Sequence, residues 1–208
     1  MATWYGDHPI TDPSGATPRL RGIRRYPVKS LDGETRESAT LAGDAALAGD
    51  RRWVIADRPA DEPFDPLTAD MADFCNGKKT AAVHRIRSEF VPPADGGPAL
   101  RLRSHDEPSS AARQFTLWDG ESGEQPVVHA PLNTFLSERL DRTVSVRRVE
   151  GGRPDRADHG PSIISTATLR EIAAWFDFDL DSARRRFRAN LEIGGVPPFW
   201  EDKLFGDA

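Results

Sequence analysis

Short runs in which apolar and polar residues alternate recur along the chain and predict β-strands. The clearest alternating run covers residues 20–26, and the run at 52–56 is predicted to be another short strand. Further strands are expected at 80–90, 99–103, 113–118, 143–149 and 190–193. Gly, Pro and Asp gather between these runs, and residues 58–79 form a long excursion rich in the same three residues. The pattern predicts a chain built mainly of short strands.

Two segments have helical spacing instead. Residues 131–140 are predicted to form an amphipathic helix, and residues 167–176 a second one, with apolar side chains at i, i+3, i+4 and i+7. The second helix can begin at a capping box over 168–171, or with Ser165 or Thr166 as its cap. Residues 181–186 are expected to form one short turn. Many strands with few helices predict a β-rich α+β fold, with barrel-like sheets and a few covering helices.

The composition narrows the class of protein. The chain has 208 residues, enough for one sizeable domain or two small ones, and its net charge is -5. A nucleic-acid-binding protein is more often basic, so no nucleic-acid partner is expected. We find no apolar signal core and no run of membrane-spanning length, so we expect a cytoplasmic protein without a membrane partner.

Composition shifts suggest the organisation of the chain. Residues 1–17 are polar and predict a flexible arm. Residues 18–150 hold most of the predicted strands and are expected to form one module. The Gly, Pro and Asp of 151–160 indicate a linker, so that a second, smaller domain would span 151–208.

Candidate anion-binding residues flank two of the first predicted strands. Lys29 and Ser30 lie in the loop after strand 20–26, where an ammonium, a hydroxyl and backbone N–H groups can meet one anion. Arg51 precedes strand 52–56, and its planar guanidinium suits phosphate. Each residue also has an ordinary explanation: a solvated Lys-Ser turn, and a weak Asp50–Arg51 surface pair.

A second group of candidates lies near the C-terminal helix. Ser165 and Thr166 stand at its start, where unpaired N–H groups favour phosphate but where a hydroxyl is equally explained by N-capping. If the run 184–188 is extended, Phe187 points inward while Arg186, Arg188 and Asn190 share the opposite face. The alternative is a solvated basic run that offsets the many carboxylates.

Other chemistry has little support in the sequence. We find no H-E-x-x-H, C-x-x-C, P-loop or G-x-G-x-x-G motif, and no nucleophile elbow. Cys75 is the only cysteine, which excludes an internal disulfide and a Cys-based zinc site. No catalytic residue and no metal ligand is assigned.

Five motifs in order resemble the MOSC family, the molybdenum cofactor sulfurase C-terminal domain preceded by its N-terminal β-barrel module. The first two are Tyr-Pro-Val-Lys-Ser-Leu at 26–31 and Gly-Asp-Arg-Arg-Trp at 49–53. The other three are Ile-Ser-Thr-Ala-Thr-Leu at 164–169, Arg-Phe-Arg-Ala-Asn at 186–190 and Phe-Trp-Glu-Asp at 199–202. Their order and spacing are similar to those of the mitochondrial amidoxime-reducing component and of bacterial proteins of the same layout.

The resemblance implies a pterin cofactor that carries a phosphate and holds molybdenum. The cofactor-binding residues it implies are Lys29, Ser30, Arg51, Ser165, Thr166, Arg188 and Asn190. It also implies molybdenum ion binding, pyridoxal phosphate binding as a related family property, a small-molecule substrate, an electron-transfer protein partner, and oxidoreductase activity on N-hydroxylated or oxo substrates. The protein would orient the cofactor while the metal performs the redox step.

The chain departs from the family at its end. The family's molybdenum-ligating cysteine lies in a later segment, and Cys75 is in the wrong place to replace it. We therefore expect a truncated or short form with a partial second barrel whose open edge favours self-association. The alternatives are a molybdenum enzyme, a non-catalytic pterin-phosphate binding or carrier module, and a partner-dependent β-rich fragment.

Overall fold

A computed structural model describes residues 17–41, 46–94, 97–117, 130–149 and 160–204. The strands are β1 (Arg19–Arg25), β2 (Glu34–Arg36), β3 (Trp53–Ala56), β4 (Ile86–Ala94), β5 (Gly97–Ser104), β6 (Arg113–Thr116), β7 (Ser145–Arg148), β8 (Ile163–Ser165) and β9 (Leu191–Gly194). The α-helices are α1 (Ala130–Leu140), α2 (Thr166–Trp175) and α3 (Leu180–Phe187). Short 3-10 helices lie at Met71–Asp73, Ala81–Arg85, Ser109–Ala111 and Trp200–Leu204. A strand-rich α+β fold is thus confirmed.

The described residues fall into two compact units. The terminal unit comprises 17–24, 35–39 and 160–204, and the central unit comprises 25–34, 40–41, 46–94, 97–117 and 130–149. The terminal unit is discontinuous because β1 pairs with β9, so the beginning of the predicted 18–150 module shares a sheet with the C-terminal segment. The predicted arm, up to residue 16, and nearly all of the predicted 151–160 linker lie outside the described residues.

The terminal unit is built on a four-stranded sheet in the order β2-β1-β9-β8. β9 pairs antiparallel with β1 and parallel with β8, and the parallel pair is connected through α2 and α3. A parallel pair needs such a crossover because its strands run in the same direction. Ile164, Leu169, Ala173 and Ala183 form the buried core between the helices and the sheet.

The central unit contains two smaller sheets, β3-β7 and β4-β5-β6, both antiparallel. Its core includes the inward side chains of these strands and of α1, where Leu132, Phe135, Leu136 and Leu140 are all buried. This set is the apolar stripe from which the sequence predicted the helix. None of the three sheets of the described residues closes into a barrel.

The structure differs from the sequence-based expectations at three places. The segment 80–90 begins as a 3-10 helix, and β4 starts only at Ile86. The predicted turn at 181–186 is an eight-residue helix, α3, since Asp179 caps it by accepting a hydrogen bond from the Ser182 N–H at 2.7 Å. The three-residue strand β2 was not predicted, because three residues are too few to show an alternation. No helix of the described segments has the length and apolarity needed to cross a bilayer.

Candidate functional site

In the central unit, the two loops that carry Lys29, Ser30 and Arg51 lie side by side. The Lys29 N–H donates to the Trp53 carbonyl at 2.8 Å, and the Arg51 N–H donates to the Tyr26 carbonyl at 2.7 Å. Val28 and Trp53 form a parallel bridge between the same segments. Residues separated by about twenty positions are thereby brought into one backbone ladder, as the prediction of a shared anion site within this unit requires.

Both loops contain residues with left-handed backbone. Ser30 has φ 76° and Arg51 has φ 50°, a region that costs a non-glycine residue energy and marks tight turns. Gly49, at φ 78°, lies two residues before Arg51, and a Cβ placed there would lie 2.9 Å from Nη1 of Arg25. The Gly49 position therefore favours glycine on both conformational and steric grounds.

Lys29 is only 6% exposed, so it does not belong to a solvated turn. Burying an ammonium is costly unless it is paired or hydrogen-bonded, and Lys29 does have an interaction within the protein. A compact charge held inside a loop is also positioned more firmly than one on a flexible surface side chain.

Asp50 has a structural role that the sequence analysis reduced to a weak surface pair. Its Oδ1 accepts from the Tyr26 N–H at 2.6 Å, while Oδ2 contacts Nη1 of Arg51. The two side chains are only 8% and 17% exposed. The guanidinium of Arg51 also lies 5.8 Å from the centre of the Tyr26 ring. Asp50 thus joins the two loops and orients Arg51. The sequence signal for this role was the position of Asp50 in the Gly-Asp-Arg motif.

In the terminal unit, Ser165 is the cap of α2. Its Oγ accepts from the Thr168 N–H at 2.9 Å and shares a hydrogen bond of 2.7 Å with the Thr168 hydroxyl. The Thr168 hydroxyl in turn accepts from the Phe199 N–H at 2.7 Å. Ser165 is fully buried, and its hydroxyl is used at the start of the helix. This is the capping role that the sequence offered as the alternative to a phosphate contact.

Asn190 also makes contacts within its own unit. Its Nδ2 donates to the Arg24 carbonyl at 3.0 Å, and its Oδ1 accepts from the backbone N–H and the hydroxyl of Ser162 at 3.2 and 3.0 Å. The side chain is 2% exposed and connects the ends of β1, β8 and β9.

Glu192 is the residue that the sequence analysis missed. Its carboxylate, 4% exposed, accepts from Nη1 of Arg24 at 3.0 Å, from Thr166 Oγ1 at 2.9 Å, and from Nε and Nη2 of Arg184, both at 2.9 Å. The sequence signal for Glu192 was its position: a carboxylate within a short apolar strand, a few residues after a run of arginines.

The charges around Glu192 shift the pKa values of the group. Burial by itself would raise the pKa of Glu192, but hydrogen bonds from Arg184, Arg24 and Thr166 outweigh it and lower the pKa to about 2. The same hydrogen bond with Glu192 raises the pKa of Arg184 above its usual range. Glu192 is therefore ionised at neutral pH, and the Thr166 hydroxyl already donates its hydrogen bond to this carboxylate.

Residues 184–187 belong to α3, so the extended arrangement considered for the basic run 184–188 does not form. Phe187 is 46% exposed and does not point inward. Arg186 lies over the Phe178 ring at 4.8 Å, and Arg188 is the left-handed C-cap of α3 with φ 54°. Arg186 and Arg188 are therefore not neighbours on one strand face, and the ion pair with Glu192 is made by Arg184, whose side chain is 25% exposed.

Cys75 is buried in the central unit at 2% exposure, and its N–H donates to the Ile55 carbonyl at 2.8 Å. Burial is the largest influence on this thiol and raises its pKa. A protonated, enclosed thiol is a poor metal ligand, because the ligand is the thiolate. Within the described segments, no group of three or more His, Cys, Asp or Glu side chains is arranged to hold a metal ion.

Comparisons with protein-family models, with curated proteins and with solved structures find no match to this chain.

Proposed function

We propose that this chain is a MOSC-type protein that binds the phosphate-bearing pterin of the molybdenum cofactor. The observation that carries the proposal is the pairing of the 26–30 and 50–53 loops, which brings Lys29 and Arg51 into one backbone ladder. The finer fold assignment, two barrel-like MOSC modules with covering helices, is part of the same proposal.

The donor set of the paired loops fits a phosphate group. It combines a compact ammonium, a hydroxyl and a planar guanidinium, the three side-chain groups that proteins use for phosphate oxygens. The backbone N–H groups of Lys29 and Arg51 donate within the ladder, so the side chains of the two loops would supply the phosphate contacts. Arg51 contacts Asp50 through Nη1, and a guanidinium has further N–H donors with which to bind an oxyanion.

In the terminal unit, the predicted cofactor-binding residues have two different roles. Ser165, Thr166 and Asn190 use their polar atoms to fix the start of α2 and the strand ends. Arg188, at the left-handed end of α3, is the charged member of the set, and it stays the proposed anion-contacting residue of this unit. The first three are then positioning residues.

When bound, the cofactor would supply the redox chemistry, as oxygen-atom transfer or reduction of an N-hydroxylated substrate. The residues of this chain would bind the phosphate, hold the pterin in one orientation and neutralise part of its charge. No role is assigned to Cys75, because its thiol is buried and its pKa is raised.

The burial of Cys75 favours a second candidate, a pterin-phosphate binding or carrier module without redox activity. Such a module would use the same phosphate contacts and would need no thiolate ligand. The two candidates differ in one measurement, the reduction of an N-hydroxylated amidine by the cofactor-loaded protein with a supplied electron donor.

The binding test uses protein produced in cells that make the cofactor. Pterin, released oxidatively and measured by fluorescence, and molybdenum, measured by mass spectrometry, are expected to copurify with the chain. Lys29→Met and Arg51→Gln should each lower the pterin content by about tenfold or more, since each removes a charged hydrogen bond. Lys78→Met is the matched control, because Lys78 is exposed and lies outside the paired loops.

Pterin content at background in the wild-type protein, with the cofactor supplied, would contradict the proposal. So would equal losses in Lys29→Met and Lys78→Met. Unfolding curves of each variant identify any loss that comes from misfolding alone.

A further inference from the structure

A small cavity of about 180 Å³ lies at the β4-β5-β6 sheet of the central unit. Its lining includes three arginines and two carboxylates, and among the lining residues are Asp32, Arg87, Glu89, Arg101, Arg103 and Ser109. Neither the motifs of the chain nor the proposed pterin contacts involve the three arginines.

The strand register places two of these arginines directly opposite each other. Arg87 on β4 pairs with Arg103 on β5, whereas the next outward pair joins opposite charges, Glu89 with Arg101. Side chains opposite in an antiparallel pair have Cβ atoms about 4.5–5.5 Å apart, and like charges at that distance destabilise the sheet. An anion bound between Arg87 and Arg103 would remove the repulsion.

Each of the three guanidinium groups is held by hydrogen bonds within the protein, and a guanidinium has five N–H donors in all. Nη1 of Arg87 donates to the His84 carbonyl at 3.2 Å, and Nη1 of Arg103 donates to the Glu107 carbonyl at 2.6 Å. Arg101 donates from Nε to Gln114 at 3.2 Å. Side chains already held in this way lose less freedom when they bind a ligand.

The two carboxylates do not cancel the positive charge. Oδ2 of Asp32 accepts from the Ser88 N–H at 3.2 Å, and Glu89, with a side chain 70% exposed, is 3.8 Å from Arg101. Three guanidinium groups against two carboxylates leave the cavity with a net positive charge, concentrated at Arg87 and Arg103.

We propose that this cavity binds a phosphate group, with Arg87 and Arg103 as its two forks and Arg101 and Ser109 beside them. One arginine guanidinium can donate two parallel hydrogen bonds to two oxygens of a phosphate, which gives geometric specificity as well as attraction. Pockets for drug-sized ligands measure about 300–1,000 Å³. At about 180 Å³ the cavity accommodates free phosphate or one terminal phosphate group, and not a whole nucleotide or pterin.

The test is calorimetric titration of the full chain with inorganic phosphate at constant ionic strength, with chloride as the balancing anion. Saturable binding is expected. Arg87→Gln should weaken it by about tenfold or more, because it removes charged hydrogen bonds. Arg87→Lys should also weaken it, since an ammonium keeps the charge and loses the planar fork.

Two variants distinguish this cavity from other positive sites. Arg85→Gln removes an exposed arginine that does not line the cavity, and it should keep the wild-type phosphate affinity. Arg51→Gln alters the proposed pterin loops, so its effect shows whether phosphate binds there instead. Loss of binding in Arg51→Gln with retention in Arg87→Gln would overturn the inference. Absence of saturable binding, or equal affinity in Arg87→Lys and the wild type, would overturn it as well.

The source of the phosphate is identified by titrating glycerol phosphate in parallel. Tighter binding of the ester supports a terminal group of a larger ligand, and tighter binding of inorganic phosphate supports the free anion. Unfolding curves in phosphate-free buffer show whether Arg87→Gln remains folded. If it does not, Arg101→Gln is the second variant, because Arg101 is largely exposed and its loss should also weaken binding.

Discussion

Arg184 and Glu192 form a two-point ion pair between α3 and β9. Nε of Arg184 donates to Oε2 and Nη2 donates to Oε1, each at 2.9 Å. The carboxylate is almost fully enclosed, whereas the guanidinium is one quarter exposed. A bidentate arginine contact is among the stronger polar interactions in proteins, and here it fixes the end of a helix to the strand that follows.

Arg184→Met is expected to destabilise the protein by about 3 kcal/mol, because it leaves a buried carboxylate with fewer donors. Urea unfolding followed by circular dichroism measures the change. Arg185→Met is the matched control, since Arg185 is exposed and should cost no more than about 0.5 kcal/mol. Equal effects of the two substitutions would show that the pair contributes little.

The low pKa of Glu192 predicts a loss of stability in acid. Its folded-state pKa is about 2 against an ordinary value of 4.5, so the carboxylate stabilises the protein fully above pH 4.5. That contribution declines as the pH falls from 4.5 toward 2. The shift corresponds to at most about 3 kcal/mol.

The acid prediction is checked by urea unfolding of the wild type and of Glu192→Gln across this pH range. The wild type should lose more stability than the variant, because glutamine does not titrate. Parallel pH profiles would mean that the stability change in acid comes from other carboxyl groups.

Ser165→Ala is expected to destabilise the protein by about 1–2 kcal/mol, since it removes the N-cap of α2 and leaves the buried Thr168 hydroxyl with one partner fewer. Ser110→Ala is a suitable control because Ser110 is exposed. The measurement is again urea unfolding, and a cost below that of the control substitution would contradict the capping role.

The thiol of Cys75 should be unreactive in the native protein. It is buried and its pKa is raised, so alkylation by iodoacetamide requires an opening of the central unit. The native rate is expected to be about 100-fold or more below that of the urea-unfolded chain, which corresponds to an opening free energy of about 3 kcal/mol. Comparable rates in the two states would show that the thiol is accessible.

Periodicity was sufficient for the long, regular elements. The apolar spacing at 132–140 and 169–176 predicted α1 and α2 to within one residue at each end, because one buried face repeats over several turns. The strands 19–25 and 53–56 were also identified from the sequence, the first from its mixed apolar and polar pattern and the second from its run of aromatic and β-branched residues. The formation of these helices and strands depends on residues that are near one another along the chain, so the sequence pattern is enough to predict them.

Local pattern was insufficient where distant residues decide the outcome. The run 184–188 was considered either as an extended segment or as a solvated basic run, yet Asp179 caps α3 and Glu192 pairs with Arg184, so residues 184–187 are helical. Likewise, Lys29 could be called solvated until the fold placed its loop beside Trp53 and buried it.

The sequence by itself determined the strand-rich α+β class, two of the three helices and the charged residues worth testing. Only the tertiary structure decided which distant charges face each other: Glu192 with Arg24 and Arg184, and Arg87 with Arg103. The physical reason is that periodicity reports which face of an element is buried. Electrostatic partners are set by strand register and by the crossing of segments far apart in the chain.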